Sequence, residues 1–408
     1  MSLALTTVRA QGIAPLPYME EKVFAGFLEA VFNGISIGAV LLIAALGLAI
    51  VFGLMGVINM AHGELMMLGA YTTFVVQNFC KQLGGVWFEA YIFFALIIAF
   101  LLTAAVGWLL ERGVIRYLYG RPLETLLATW GVSLILQQFV RSVNWVLVIG
   151  IALFSLLFFG GLWILKRRTD FGRIRSLVVA VILFLSVGVA MATGKFLSET
   201  YKLAITQPWF GAQNLDVTAP SWLQDGISLL GVQLPYPRLF IIALTILCVT
   251  GIYLFLQRSS WGLRIRAVTQ NRSMSACLGI PTQKVDAMTF ALGSGLAGVA
   301  GCAISLLGSV GPNTGQNYII DTFMVVVVGG VGNLVGTIVA ALGIGTANYL
   351  IGSATLASLL TPVKPLADLF AFFATTSMAK ATVFVLIIVF LQVKPGGIFP
   401  QKGRTVDV

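Results

Sequence analysis

Three side chains with chemistry to offer crowd into one short stretch. Asn59, His62 and Glu64 lie within GLMGVINMAHGELMMLGAY (residues 53–71), together with four glycines, and His62 is the only histidine of the chain. A carboxamide donates and accepts hydrogen bonds, as does a neutral imidazole, and a carboxylate accepts them. Such a set can hold the amide or carbonyl of a passing solute. The same set can instead stitch a broken helix together from inside, and Glu64 can equally lie at a membrane surface; residue type alone leaves these readings open. Thr129 and Ser133 add hydroxyls, and Gly330 and Asn333 stand in a second glycine-rich interruption. One histidine cannot make a paired-histidine metal site, and Cys80, Cys248, Cys277 and Cys302 are scattered without CxxC spacing. No nucleophile–base constellation is present, so no residue is assigned a catalytic role.

The elements that must position these groups are membrane helices. Hydrophobic residues make up 58% of the chain and charged residues 10%, with a mean hydropathy of +0.97. A soluble domain carries about 25% charged residues, so this composition excludes one. The apolar runs are continuous and close to the roughly twenty residues a helix needs to cross a bilayer, unlike the alternating strands of a barrel. The fold class is therefore an all-α polytopic membrane protein. About eight full spans are expected, near residues 27–51, 90–110, 123–140, 144–165, 176–192, 239–256, 287–307 and 377–393. Two further segments, about 53–76 and 320–350, are broken by glycine. The second would measure about 45 Å as one helix, too long for a hydrocarbon core of roughly 30 Å, and GGVGN (residues 329–333) is the expected break. Polar, helix-breaking residues at membrane depth are costly unless buried in protein or lining a watery cavity, so both breaks point to a path across the membrane.

Net charge is +10, and its placement matters more than its size. Sixteen of the 25 Lys and Arg residues fall in four segments: Arg112, Arg116 and Arg121; Lys166, Arg167, Arg168, Arg173 and Arg175; Arg258, Arg264, Arg266, Arg272 and Lys284; and Lys394, Lys402 and Arg404. The bias of basic residues toward the cytoplasm puts all four on that side, with the long loop 194–238 outside and no role for nucleic acid. This parity holds for the tail only if the segment 320–350 enters the membrane and returns to the same face; the side of the N-terminus stays open for the same reason. The expected organisation is an N-terminal segment 1–26, a first core part 27–143, a two-span hairpin 144–209, an outside loop 210–238, a second core part 239–393 with a basic loop 258–285, and a tail 394–408.

That basic loop, WGLRIRAVTQNRSMSACLGIP (residues 261–281), carries a second signal. Residues 271–278 can form a short helix stopped by Gly279 and Pro281. Held between two spans, it can be an ordinary basic loop or can dock on a cytoplasmic motor and pass movement to the spans.

Together, GLMGVINMAHGELMMLGAY, the loop WGLRIRAVTQNRSMSACLGI, the segment FMVVVVGGVGNLVGTIVAALGIG and the end VKPGGIFPQKGR resemble a permease subunit of the branched-chain amino acid and urea class of ABC importers. ERGVIRYLYGRPLETLLATWGVSLILQQ, FGAQNLDV and GQNYIIDTFMVVV are similar to its urea branch. The resemblance spans nearly the whole chain. It implies a bacterial inner-membrane protein that forms half of a substrate path for urea, with branched-chain amino acids or another short amide as the alternative. It further implies a second permease subunit, two ATP-binding cassette subunits and a periplasmic substrate-binding protein. Asn59, His62, Glu64, Thr129, Ser133, Gly330 and Asn333 are then expected along the path, and Arg266, Asn271, Ser273, Ala276 and Gly279 in the ATPase coupling loop. ATP would be used by the partners: the chain has no GxxxxGK[ST] phosphate loop and needs no cofactor of its own. One departure from the family is expected: residues 144–209 intervene where LILQQFVRSV ordinarily leads almost directly into FGAQNLDV. A stand-alone channel or ion-coupled carrier is the rival class, opposed by the loop and by the scarcity of intramembrane acids.

Overall fold

The computed structural model describes residues 16–168, 175–200, 207–211, 213–229, 232–353, 372 and 374–399. The helices are α1 (Leu16–Met55), α2 (His62–Leu83), α3 (Val86–Gly113), α4 (Pro122–Ser142), α5 (Trp145–Arg168), α6 (Arg175–Thr200), α7 (Tyr236–Arg258), α8 (Ser260–Gln270), α9 (Arg272–Cys277), α10 (Thr282–Ser305), α11 (Thr314–Gly329), α12 (Leu334–Gly352) and α13 (Thr376–Val393). Among the described residues, seven helices are long and apolar enough to cross a membrane: α1, α3, α4, α6, α7, α10 and α12; two shorter apolar stretches lie in α5 and α13. A polytopic helical protein is what the sequence led us to expect. An addition is a small antiparallel hairpin in the long polar loop, β1 (Gly226–Leu229) and β2 (Val232–Pro235), in which Gly226 pairs with Pro235 and Leu229 with Val232. Of the basic residues used to orient the chain, Arg173, Lys402 and Arg404 lie outside the described residues.

The chain divides into two units, the larger made of residues 1–129, 216–310 and 314–408, and the smaller of 130–215 and 311–313. In the larger unit, α1 and α10 are central: 83% of the most apolar window of each is buried, against 22% in α7. Apolar attraction cannot select helix partners when lipid is equally apolar, so close approach through small residues does. A Cβ on Gly298 would run into the α3 backbone at Ala99, one on Gly301 into α2 at Met66, and one on Gly293 into α1 at Gly47. A second seam joins α1 to α12, where Gly34 faces Thr346 and Gly38 faces Ala341 and Leu342. These pairings make α1 and α12 antiparallel, with Gly53 reaching Gly332 at the far end. The start of α1 lies toward Arg238, which donates to Asn33 O at 3.4 Å. The chain therefore enters at the end of α7 opposite the basic loop, the side the sequence left open.

In the smaller unit, α5 and α6 form a hairpin, with Gly161 against Ile182 and Gly194 against Val146. Its ends meet: Trp209 N donates to Val143 O at 2.9 Å, and the Trp145 and Trp209 rings cross edge-on at 4.9 Å. Asn313 Oδ1 accepts from Gln137 Nε2 at 2.9 Å and from Arg141 Nη2 at 2.7 Å.

Gly301→Val should destabilise the protein by about 1–3 kcal/mol or more, because its neighbour is backbone that cannot rotate away. Gly251→Ala, where nothing lies within 4 Å, should change stability by less than about 1 kcal/mol; thermal unfolding in detergent reads both. Removing residues 144–209 should preserve insertion and the sidedness of 258–284, since the cut ends are already adjacent, and accessibility tags in that loop report it.

Candidate functional site

The first break starts where α1 ends. Gly56, at φ 70°, takes the left-handed conformation that α1 cannot continue through, and its N–H caps Phe52 O at 3.0 Å. The chain then turns back. Gly53 abuts Gly332, yet nine residues later His62 is beside Ala44 and Gly47, a return of about 9 Å along the α1 axis at roughly 1.5 Å per residue. Residues 56–61 thus run back as non-helical backbone, and the polar groups they bury need partners. Asn59 Oδ1 accepts from Ala61 N at 3.1 Å. The Thr129 hydroxyl accepts from Met60 N at 3.1 Å and shares its own proton between Leu126 O (3.1 Å) and Ile58 O (3.4 Å). Asn59 and Thr129, 70 positions apart, are therefore brought together as a clip on the re-entrant segment.

His62 opens α2, fully buried, with Nε2 3.0 Å from Ala44 O. A carbonyl only accepts, so Nε2 carries the proton and Nδ1 presents a lone pair. Neither Nδ1 nor Asn59 Nδ2 meets a hydrogen-bonding partner among the described residues. Glu64 is 1% exposed, which corrects the expectation that it might sit at a membrane surface: Gly63 and Gly315 press α2 against α11 so closely that Glu64 Oε2 is 2.8 Å from where a Gly315 Cβ would be. Ser133 is buried one turn beyond Thr129 on α4.

The second break has other neighbours. Between α11 and α12, Gly330 (φ 99°) and Gly332 (φ 85°) reverse the chain, and Gly329 packs directly on Gly336. The segment thus enters and returns, as the parity of the tail required. Asn333 caps α12, its side chain accepting from Gly336 N at 3.2 Å. The tail folds onto this turn, with Ile398 N donating to Val328 O at 2.8 Å and Gly330 set against Phe399 O. Gly332 and Asn333 also line an open cleft of about 470 Å³ together with Gly53, Tyr253, Arg266 and Gln270. Gly330 and Asn333 thus build the turn at the basic face, while Asn59, His62 and Thr129 build the re-entrant segment.

The basic loop folds into two helices, one more than expected. Ser259 caps α8 by accepting from Gly262 N at 2.8 Å, and Gly262, Ile265 and Val268 form its buried stripe. That three-residue spacing is a helical signal in the sequence itself. Arg266 Nη1 donates to Gln257 Oε1 at 3.0 Å and fastens α8 to the end of α7. Asn271 caps α9, accepting from Met274 N (3.0 Å) and the Ser273 hydroxyl (2.9 Å). Gly279, at φ 80°, closes it while Ile280 N donates back to Ser275 O at 3.0 Å. Ser273, Met274, Ala276 and Leu278 are exposed around this short helix.

Beneath α9 lies a charge cluster that sequence reasoning missed. Arg272 Nη2 is 2.6 Å from Asp286 Oδ2 on α10, and its guanidinium lies 4.9 Å from the centre of the Tyr119 ring. Tyr119 donates to Glu111 Oε1 on α3 at 3.2 Å, and Arg116 stands 3.8 Å from the same carboxylate. Burial first, and then the Asp286 carboxylate, pushes the Tyr119 phenol above its ordinary range, so it stays protonated and remains the donor. The available signal was an acid inside the basic end of two spans. Elsewhere, Asp321 on α11 is buried and pairs with Lys380 at 3.2 Å, and Lys380 also donates to Asn317 O at 3.4 Å.

Known proteins place this architecture. The chain is 25% identical to the high-affinity branched-chain amino acid transport system permease protein LivH of Salmonella typhimurium, over 92% of this chain and 96% of that one. It is 25% identical to BraD of Pseudomonas aeruginosa, a high-affinity branched-chain amino acid transport system permease protein, over 79% of this chain and 85% of that one. A Methanocaldococcus jannaschii relative, a probable branched-chain amino acid transport permease LivH, is 29% identical over 46% of this chain and 55% of its own length. No solved structure matches. A family model described as "branched-chain amino acid transport system / permease component" matches residues 30–180 and 173–391, and the chain accordingly belongs to that family of multi-pass membrane transport permeases.

Proposed function

We propose that this chain is one permease subunit of an ATP-driven importer, coupled through α9 to separate ATPase subunits on the cytoplasmic side and supplied by a binding protein from the opposite side. The observation that carries this reading is α9 itself: a six-residue helix, capped at both ends, that exposes Met274 and Leu278 on the basic face and leads through four residues into the central helix α10. Only four residues of chain separate α9 from the middle of the bundle. The basic loops place this face in the cytoplasm. A second permease subunit would complete the path.

The solute that the relatives' names favour is a branched-chain amino acid, in place of the urea suggested by the sequence segments. Buried polar groups support passage of a small solute rich in hydrogen-bonding groups: Asn59 Nδ2 offers donors and His62 Nδ1 an acceptor. A zwitterion would additionally use helix ends, and α2 begins at this site. Urea remains the second reading because this donor–acceptor pair carries no fixed charge.

Uptake of labelled leucine and labelled urea, in cells with and without this gene, decides the solute. Loss of leucine uptake alone supports the branched-chain amino acid reading; loss of urea uptake, insensitive to leucine, reverses it. Copies carrying Gly279→Val should remain in the membrane but lose transport, because a β-branched residue in the left-handed region is strained by about 1–2 kcal/mol. Gly279→Asn, which tolerates that conformation, should keep most of it. Equal uptake by the Val and Asn variants would contradict the assignment of α9.

A further inference from the structure

Glu111, Arg116, Tyr119, Arg272 and Asp286 form a cluster that the function above does not use. All five lie around the base of α9, and its two acids are buried, with Glu111 at 0% and Asp286 at 3% exposure. We propose that Arg272 and Asp286 form a strut that makes α9 move with α10 and α3, so that Arg272 is a positioning residue for coupling; the inference rests on the coupling role of α9.

The covalent route from α9 to α10 passes Gly279, in the left-handed conformation, and the Ile280–Pro281 corner. With no side chain at Gly279, this corner is a natural pivot, and a helix of one and a half turns has little rigidity of its own. Pushing on the tip of α9 would rotate it about the corner and leave α10 where it was. The 2.6 Å bond between Arg272 Nη2 and Asp286 Oδ2 closes a ring across that corner, from the first residue of α9 to the second turn of α10. Rotation about Gly279 must then stretch a charge-assisted hydrogen bond, while translation of the whole corner does not.

The surroundings make the strut stiff. Asp286 cannot turn to water in exchange, because its side chain is 4% exposed, against 48% for Arg272. Separating the pair leaves a buried carboxylate without its partner, which is strongly unfavourable. The guanidinium also faces the Tyr119 ring, and Tyr119 donates to Glu111 on α3. One side chain thus connects α9 to α10 by a charged hydrogen bond and to α3 through an aromatic face. Planar guanidinium suits both contacts at once; the compact ammonium of lysine does not.

The two single changes differ in kind. Arg272→Gln strands Asp286 in a buried site and can disturb folding. Asp286→Asn removes the charge assistance that stiffens the strut, leaving at most a neutral hydrogen bond to the amide oxygen, and keeps Arg272 half in water, where a lone charge is tolerated. Asp286→Asn is therefore the primary variant, with Arg272→Gln and Arg272→Lys alongside, the exchange R272D/D286R as the rescue, and Arg264→Gln as a control for charge in the same loop. The assembled importer is reconstituted in vesicles, and labelled leucine, with labelled urea in parallel, is counted per ATP hydrolysed.

Asp286→Asn should assemble and hydrolyse ATP, yet move at least about fivefold less solute per ATP, the range expected when a coupling contact is removed. Arg272→Lys should fall between it and the native protein, the exchange should recover part of the loss, and Arg264→Gln should match the native ratio. A native ratio in Asp286→Asn, or a reduced ratio that the exchange does not improve, overturns the strut. Gly279→Val separates the two levels: if it uncouples while Asp286→Asn does not, only the strut fails. If both retain the native ratio, the coupling role of α9 fails with it.

Discussion

Backbone-to-backbone contact along α10 is the constraint on which the rest of the larger unit depends. Gly293, Gly298 and Gly301 sit where a single methyl group would meet the main chain of α1, α3 or α2. In lipid, burial of apolar side chains does not distinguish a neighbouring helix from an acyl chain, so shape and contact distance decide the pairing. The glycines of α10 remove the side chains that would hold its neighbours apart. The helix can then occupy the centre, with 83% of its most apolar window buried.

That arrangement makes room for the re-entrant segment. A backbone that leaves α1 at Met55 and returns to the level of Ala44 needs walls that supply hydrogen bonds to the groups it buries. Those walls come from remote parts of the chain: the Thr129 hydroxyl from α4, and the carbonyl of Ala44 from α1 for His62. What remains unsatisfied, Asn59 Nδ2 and His62 Nδ1, is polar, uncharged and adjacent to a helix start.

Charge is placed with the same economy. Among the described residues, two close acid–base pairs with a buried acid tie an outer helix to the interior of the larger unit, Arg272 with Asp286 beneath α9 and Lys380 with Asp321 between α13 and α11. Each joins a peripheral element to a helix of the packed interior through a buried acid and a half-exposed base. Such a pair adds little net stability compared with apolar packing; its value lies in holding one geometry.

Much of this could be read from residues in order. The apolar runs defined a polytopic membrane protein, the glycine clusters marked both breaks, and Asn271 and Gly279 bracketed α9 at its observed position, because span length, helix caps and left-handed turns are local properties of a few consecutive residues. The amphipathic helix α8 was equally local, in the spacing of Gly262, Ile265 and Val268. Relations between distant residues were beyond that reach. Whether His62 caps its nitrogen on Ala44, whether Glu64 is buried, that Asn333 caps α12 while Thr129 clips residues 58–60, and that Arg272 chooses Asp286 over solvent all depend on which helices lie side by side. The sequence by itself determined which segments enter the membrane and where each must bend; only the tertiary structure decided which polar groups are used up holding those bends and which are left over, because a hydrogen bond at membrane depth is settled by the distance between chains rather than by the identity of the residue.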